Sequence, residues 1–318
     1  MFNSSSLKKS VSDDYFLKNN STESTDSEID SIESLSSLSS DLSYESDADD
    51  TDCSCTFSYD NISNSSRYDS MGIPKIIMQT WKTKDIPEKW AISPKSIKKY
   101  MPDWKYVLMT DKDNRRFIKK HFPDFLETYD GFEYNIQKAD SIRYAWLYIH
   151  GGIYMDLDFE MQHSLDEFFK SDSEVYLVSS GNIGSYITNS FMASKPRCNL
   201  WLEMIEAMKK PGLSWYHMGK HMKVMLITGP IMLTHVIKKS KTVYSMLPGR
   251  LFMPCSTCKI LTCDSSGSYL KPLEGSSWIS YDTKVYNFFM CQWKKLLILL
   301  GVIILLFFIF LLLHWWCK

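Results

Sequence analysis

Hydrophobic positions first gather in "GIPKIIMQTWKT", where Ile76 to Thr80 form a short apolar run after a proline and predict a buried strand. A helical stretch follows around Pro94 to Tyr100, and then "MPDWKYVLMTD", in which Trp104 to Thr110 predict a second strand. Asp111 is placed to cap a helix through "NRRFIKKHF", and "PDFLETYDGF" reads as a further short helix or turn. The stretch "KADSIRYAWLYIHGGIYMDLDFE", Lys138 to Glu160, predicts an amphipathic helix, a stop at Gly151-Gly152 and an apolar strand from Ile153 to Asp158. Further on, Glu174 to Ser180 predict a strand, "CNLWLEMIEAMKK" an amphipathic helix, and Gly229-Pro230 a turn before another helix. Strand, helix, strand, helix, helix, strand is the order of an α/β fold with a mainly parallel sheet. Such sheets bind ligands at the carboxyl ends of their strands, and that is where Asp156 and Asp158 fall.

Both ends of the chain break this pattern. Leu296 to Leu313 are uncharged and apolar without interruption, with Trp293 before and Trp315-Trp316 after, which predicts a membrane-spanning helix over 294–316. No apolar signal segment opens the sequence, so a tail-anchor arrangement is expected. Lys294-Lys295 against a single Lys318 place the bulk of the protein on the cytosolic side by charge bias. Residues 1–70 hold fifteen Asp/Glu against four Lys/Arg and are rich in serine, which predicts a disordered acidic tail. The remaining chain has 32 basic against 22 acidic residues, so the overall net charge of −1 averages two unlike materials. The ordered part is expected to be one domain, 71–290. Of the eight cysteines, Cys255, Cys258 and Cys263 form C-x2-C-x4-C, three thiols without an evident fourth zinc ligand. They are expected to be ordinary reduced cysteines, consistent with cytosolic placement.

Four D-x-D pairs occur, and only context separates them. Asp47/Asp49 and Asp50/Asp52 lie in the acidic tail, and Asp111/Asp113 start a helix. Asp156 and Asp158 end an apolar strand, where two carboxylates repel and are costly to desolvate unless a cation joins them. Mn²⁺ or Mg²⁺, completed by phosphate oxygens and water, is the natural partner. One helical turn apart on one face, Asp140 and Arg143 read either as a surface ion pair or as an acid and a multiple donor for sugar hydroxyls.

The segments "IPKIIMQTWKT", "PDWKYVLMTD", "KADSIRYAWLYIHGGIYMDLD", "ITGP" and "GSSW" occur in the order found in the DXD-containing glycosyltransferases of family 32, which the chain resembles over about residues 72–282. That family includes fungal initiating mannosyltransferases and inositolphosphoceramide mannosyltransferases. The resemblance implies a GT-A-like nucleotide-sugar-binding fold and transfer of a hexose, mannose favoured, from a GDP- or UDP-sugar with retention. It further implies that Asp140 and Arg143 contact the donor sugar, that Asp156 lies near ribose and sugar, and that Asp158 sits on the metal, the two aspartates being the expected metal ligands. Trp81 matches a position that packs on the nucleotide base, Tyr154 one lining the nucleotide pocket, and Asn189 a polar residue near donor or acceptor. Ser277 and Trp278 match a closing segment that reaches metal and diphosphate. Relatives often have histidine where this chain has Ile279, which leaves a third protein metal ligand open. The expected partners are the donor, a lipid or glycan acceptor and the bilayer, with no nucleic acid. The family resemblance implies an endomembrane enzyme with a lumenal domain, against the charge bias. An inactive sugar-nucleotide-binding scaffold is the alternative. A metal phosphohydrolase would explain neither "KADSIRY" nor "GSSW".

Overall fold

The computed structural model describes residues 72–170, 172–180, 186–210, 219–256, 258, 263–275 and 278–317. The acidic tail expected over residues 1–70 lies outside the described residues. β1 (Ile76–Thr80) is buried along nearly its whole length and pairs in parallel with β2 (Lys105–Met109) on one side and β3 (Gly152–Met155) on the other. β6 (Ile187–Ser194) runs antiparallel between β3 and β5 (Val175–Ser179), and β7 (Tyr244–Leu247) lies parallel to β5 at the edge. The sheet order is β2-β1-β3-β6-β5-β7, so β6 is the one reversed strand of a mainly parallel sheet, as the α/β pattern predicts. β4 (Phe159–Met161) and β8 (Leu270–Pro272) make a small separate ribbon.

Side chains that alternate along the strands divide the core in two. Ile76, Met78, Tyr154, Val175, Leu177 and Met192 enter one apolar cluster, while Ile77, Ile153, Met155, Tyr176, Val178 and Ala193 enter the other. Successive strand residues point to opposite faces, so the clusters lie on opposite sides of the sheet. The first cluster is completed from α2 (Asp111–His121), α4 (Asn135–His150), α5 (Asn199–Lys209) and α7 (Pro230–Ile237). The second is completed from α1 (Ile92–Tyr100), β4 and α8 (Gly249–Phe252). Two short elements complete the helical set, α3 (Leu126–Asp130) and α6 (Gly219–Ile227).

Two local readings change. The cap of α2 is Thr110 and not Asp111: its hydroxyl accepts from Asp113 N–H at 3.3 Å, and Asp113 accepts from Thr110 N–H at 3.0 Å. This reciprocal box satisfies two backbone donors, and Asp111 becomes the first helical residue. α4 is not amphipathic in the expected sense. Asp140 through Leu147 are all buried, so its polar face is turned into the protein rather than to water.

The cysteines differ most from expectation. Cys255 bonds Cys263 and Cys258 bonds Cys291, so the three-thiol group is neither reduced nor a zinc site. The missing partner, Cys291, comes from the first turns of α9 (Tyr281–Trp316), 33 residues away in the chain, where spacing alone could not reveal it. α9 is a single helix of 36 residues containing an apolar window of mean hydropathy 3.6 with none of that window buried, long and apolar enough to cross a membrane.

Between α4 and β3, Gly151 and Gly152 adopt φ of +64° and +82°. A Cβ on Gly152 would stand 2.4 Å from the Ile76 carbonyl oxygen, and one on Gly151 would stand 2.7 Å from the Ser194 carbonyl oxygen. Only glycine allows both the left-handed turn and the close approach of β1 and β6. Gly152→Ala is therefore expected to lower stability by about 1–3 kcal/mol from backbone strain, with more from displacing β1. Gly267→Ala, with φ of +74° but open space around it, should cost less. Thermal unfolding of the detergent-solubilised variants checks the order.

Candidate functional site

β3 ends at Met155, three residues before its expected limit, and the aspartate pair sits on the turn into β4. Three elements hold its backbone. Asp156 N–H donates to Ser190 of β6 at 2.8 Å, the Asp156 carbonyl accepts from Gln79 Nε2 of β1 at 3.2 Å, and the Asp158 carbonyl accepts from Leu273 N–H at 2.7 Å. Gln79 is fully buried and spends its other groups on Ser93 Oγ at 2.9 Å and the Tyr106 hydroxyl at 3.0 Å. The pair is thus positioned by β1, β6 and the segment after β8 together.

Behind the pair lies a buried network centred on Arg143. Its guanidinium meets Asp140 Oδ1 at 3.0 Å and Asp156 Oδ1 at 3.2 Å, and donates to the Asn189 carbonyl at 2.6 Å. It also stacks 4.5 Å over the ring of Tyr154, whose hydroxyl donates to Asp156 Oδ1. Asp140 accepts from Asn189 Nδ2 at 3.0 Å and from Thr228 Oγ1 at 2.8 Å, while Tyr144 donates to the Thr228 carbonyl at 2.7 Å. Asp140 and Arg143 are each only 3% exposed, which excludes the surface-pair reading. An ion pair at that depth persists only when its remaining lone pairs and protons are also bonded, as they are here.

The charges do not balance. Arg143 bridges two carboxyls, and the third, that of Asp158, has no salt bridge among the described residues. Burial pushes the Asp158 carboxyl up to about 7, with repulsion from Asp156 adding to it. Burial likewise raises Asp140 to about 6 against the pull of Arg143, and raises Asp156 against Arg143 and the Tyr154 hydroxyl. Burial opposes the Arg143 charge too, but Asp156, Tyr154 and Asp140 together hold it above the usual arginine value. Two adjoining, desolvated carboxylates with surplus negative charge suit a divalent cation. Among the described residues no three His, Cys, Asp or Glu side chains converge into a complete cage, so the fit is to an ion completed by phosphate and water. Asp156 and Asp158 are the residues that would hold it.

The other expected residues lie around this centre. Trp81, half-buried after β1, meets Trp90 edge-on with centroids 5.0 Å apart, and Trp90 Nε1 donates to the Glu274 carbonyl at 3.1 Å. Trp278 is half-buried and stacks on His221 at 5.5 Å and 8°. Ser277 lies outside the described residues. Asn189 and Tyr154 are buried inside the network, and both contact Arg143. Gln79, Tyr144 and Thr228 were not anticipated as site residues, although Gln79 stands in "MQTW" and Thr228 in "ITGP". Lys89 also escaped notice. Its ammonium lies against Gly275 and lowers the Asp158 pKa, making it a nearby cation for a phosphate.

Residues 87–175 match the family model described as "Glycosyltransferase sugar-binding region containing DXD motif". The chain is 39% identical over 180 residues to "Mannosyl phosphorylinositol ceramide synthase CSH1" of Saccharomyces cerevisiae, covering 56% of this chain and 46% of that protein. It is 34% identical over 216 residues to "Inositol phosphoceramide mannosyltransferase 2" of Schizosaccharomyces pombe, covering 67% and 60%. It is 32% identical over 116 residues to "Initiation-specific alpha-1,6-mannosyltransferase" of Candida albicans, covering 34% and 30%. The chain spans about half the length of the curated relatives it matches. A solved "PaToxG Glycosyltransferase" overlays with a TM-score of 0.40 at 17% identity, covering 53% of this chain and 70% of that one. The resemblance drawn from the motifs is borne out, and the matched segment contains Asp140, Arg143, Tyr154, Asp156 and Asp158.

Thr228→Val keeps the shape of the side chain but leaves an Asp140 oxygen without its partner. It should lower stability by about 1–3 kcal/mol, with Thr228→Ser nearly silent, as read by thermal unfolding.

Proposed function

We propose that this chain is a membrane-anchored, metal-dependent, retaining glycosyltransferase moving a hexose, mannose favoured, from a nucleoside-diphosphate sugar to a glycolipid such as an inositol phosphoceramide. The catalytic domain would be 71–290 and the span 294–316. The observation that carries the reading is the buried Asp140–Arg143–Asp156 chain ending beside the surplus carboxylate of Asp158 at the carboxyl edge of the sheet. Names of the relatives support a mannosyl donor and a phosphoinositol-bearing lipid acceptor. Mn²⁺ or Mg²⁺ would supply Lewis-acid stabilisation of the diphosphate leaving group.

The chain's own groups do the rest. Asp140, fixed by Thr228 and Asn189 behind the pair, anchors Arg143, and Arg143 holds Asp156 and Asp140 at a set separation. The half-open ring of Trp81 offers a stacking surface for the base, with Trp90 fixing its edge. Lys89 adds positive charge on the diphosphate side. Leu273 borders the pair by donating its N–H to the Asp158 carbonyl.

The sulfur chemistry supports one orientation over the other. Two disulfides favour an oxidising compartment over the cytosol, and this outweighs the small lysine bias beside the span. The domain is accordingly assigned to the lumenal side of an endomembrane.

Asp158→Asn should leave the fold intact while lowering donor hydrolysis and transfer by on the order of 10²-fold or more. Chelation of the wild type should do the same, with Mn²⁺ restoring activity. Undiminished activity in both would reject the metal-dependent mechanism at the aspartate pair, and donor binding without turnover by the wild type would favour the scaffold. Orientation is read independently: the sequons at Asn3, Asn20, Asn61 and Asn64 should carry glycans that an endoglycosidase removes, with a visible gel shift.

A further inference from the structure

The segment that borders the aspartate pair is also the segment that leads into α9. Leu273 N–H bonds the Asp158 carbonyl, Glu274 accepts from Trp90, and Trp278 stacks on His221 of α6. Two residues later Ser280 caps α9, and Asp282 in its first turn accepts the His221 N–H at 2.7 Å. His221 is buried between Trp278 and Tyr286, the latter 4.6 Å away in the second turn of α9, and its ring nitrogens make no hydrogen bond among the described residues. Its ring therefore acts as an aromatic spacer joining the border segment to the helix.

A second clamp comes from the other flank. After α8, Met253 Sδ receives the Ser190 hydroxyl at 3.7 Å, and Ser190 is the residue whose carbonyl holds Asp156. The loop that follows Met253 is closed on itself by Cys255–Cys263 and tied to the third turn of α9 by Cys258–Cys291. Both flanks of the site are thus fastened to the same three helical turns. From Tyr281 to Trp316 α9 continues unbroken, so no flexible stem separates those turns from the apolar run beginning at Leu296. At about 1.5 Å per residue, Cys291 stands only about 7 Å and Tyr281 about 22 Å above that boundary. Tyr281, Phe288 and Phe289 are all more than half exposed on these turns, apolar surface continuous with the span.

We propose that the first three turns of α9 are a positioning post that holds the site at a fixed height over the bilayer. The acceptor hydroxyl is then delivered by a lipid headgroup of the same membrane, and the Cys258–Cys291 bond is what makes the post stiff. This rests on the glycosyltransferase reading and adds to it a geometric requirement on the acceptor. A post of set height presents one layer of headgroups to the site and converts an encounter in three dimensions into an oriented one.

Two variants leave the site residues untouched. One inserts seven helix-forming residues between Lys295 and Leu296, which lifts the domain by about 10 Å while turning it by only about 20°. The other is the double substitution Cys258→Ser with Cys291→Ser. Three activities are compared for each: donor hydrolysis, transfer to inositol phosphoceramide in phosphatidylcholine vesicles, and transfer to the same lipid in detergent micelles. The expected result is a fall of about tenfold or more in vesicle transfer, with donor hydrolysis and micelle transfer unchanged. Unaltered vesicle transfer in both variants would overturn the post. So would a parallel fall of all three activities, which marks damage to the fold. Wild-type protein without donor hydrolysis would instead remove the glycosyltransferase reading itself.

Discussion

The guanidinium of Arg143 is the interaction on which the rest of the site depends. It lies in a nearly water-free position between Asp140 and Asp156, over the Tyr154 ring, and against the Asn189 carbonyl. One cation there lets two carboxylates be buried side by side at the edge of a sheet, which neither could be alone. It leaves the third, Asp158, unbalanced. The geometry is therefore stable as a shell and incomplete as a charge set, which is the electrostatic condition for capturing a divalent ion with a diphosphate.

Much of this was legible in the sequence, for identifiable reasons. The apolar run before Asp156 marks a buried strand whatever else surrounds it, and the double glycine marks a turn that no other residue could make. Three-residue spacing placed Asp140 and Arg143 on one helical face. Their burial was not legible, because it depends on Asn189 and Thr228, 49 and 88 residues further along the chain. The same holds for β6. Its polar Thr188-Asn189-Ser190 segment conceals a strand whose inner side serves the network and whose backbone serves Asp156. α4 deceived for a related reason: a polar stripe normally faces water, and here it faces the site.

The cysteines show the limit of spacing arguments in another way. C-x2-C-x4-C has the rhythm of a metal knuckle, but the fourth thiol belongs to a helix whose composition reads as membrane span. The disulfide and the charge bias point to opposite sides of the bilayer. The proposed lumenal placement gives the disulfides the greater weight, since two lysines shift orientation only weakly whereas thiol oxidation is set by the compartment.

A final consequence concerns bilayer thickness. α9 runs for 36 residues, about 54 Å, without proline or any break, and its single glycine, Gly301, lies within the apolar run. When the hydrocarbon layer is thinner than the apolar run, such a helix accommodates by tilting. A rod without a joint passes that tilt to everything bolted to its upper turns. With the proposed membrane anchoring, the lipid composition of the host membrane thereby becomes a mechanical input, leaning the whole domain toward or away from the surface it reads.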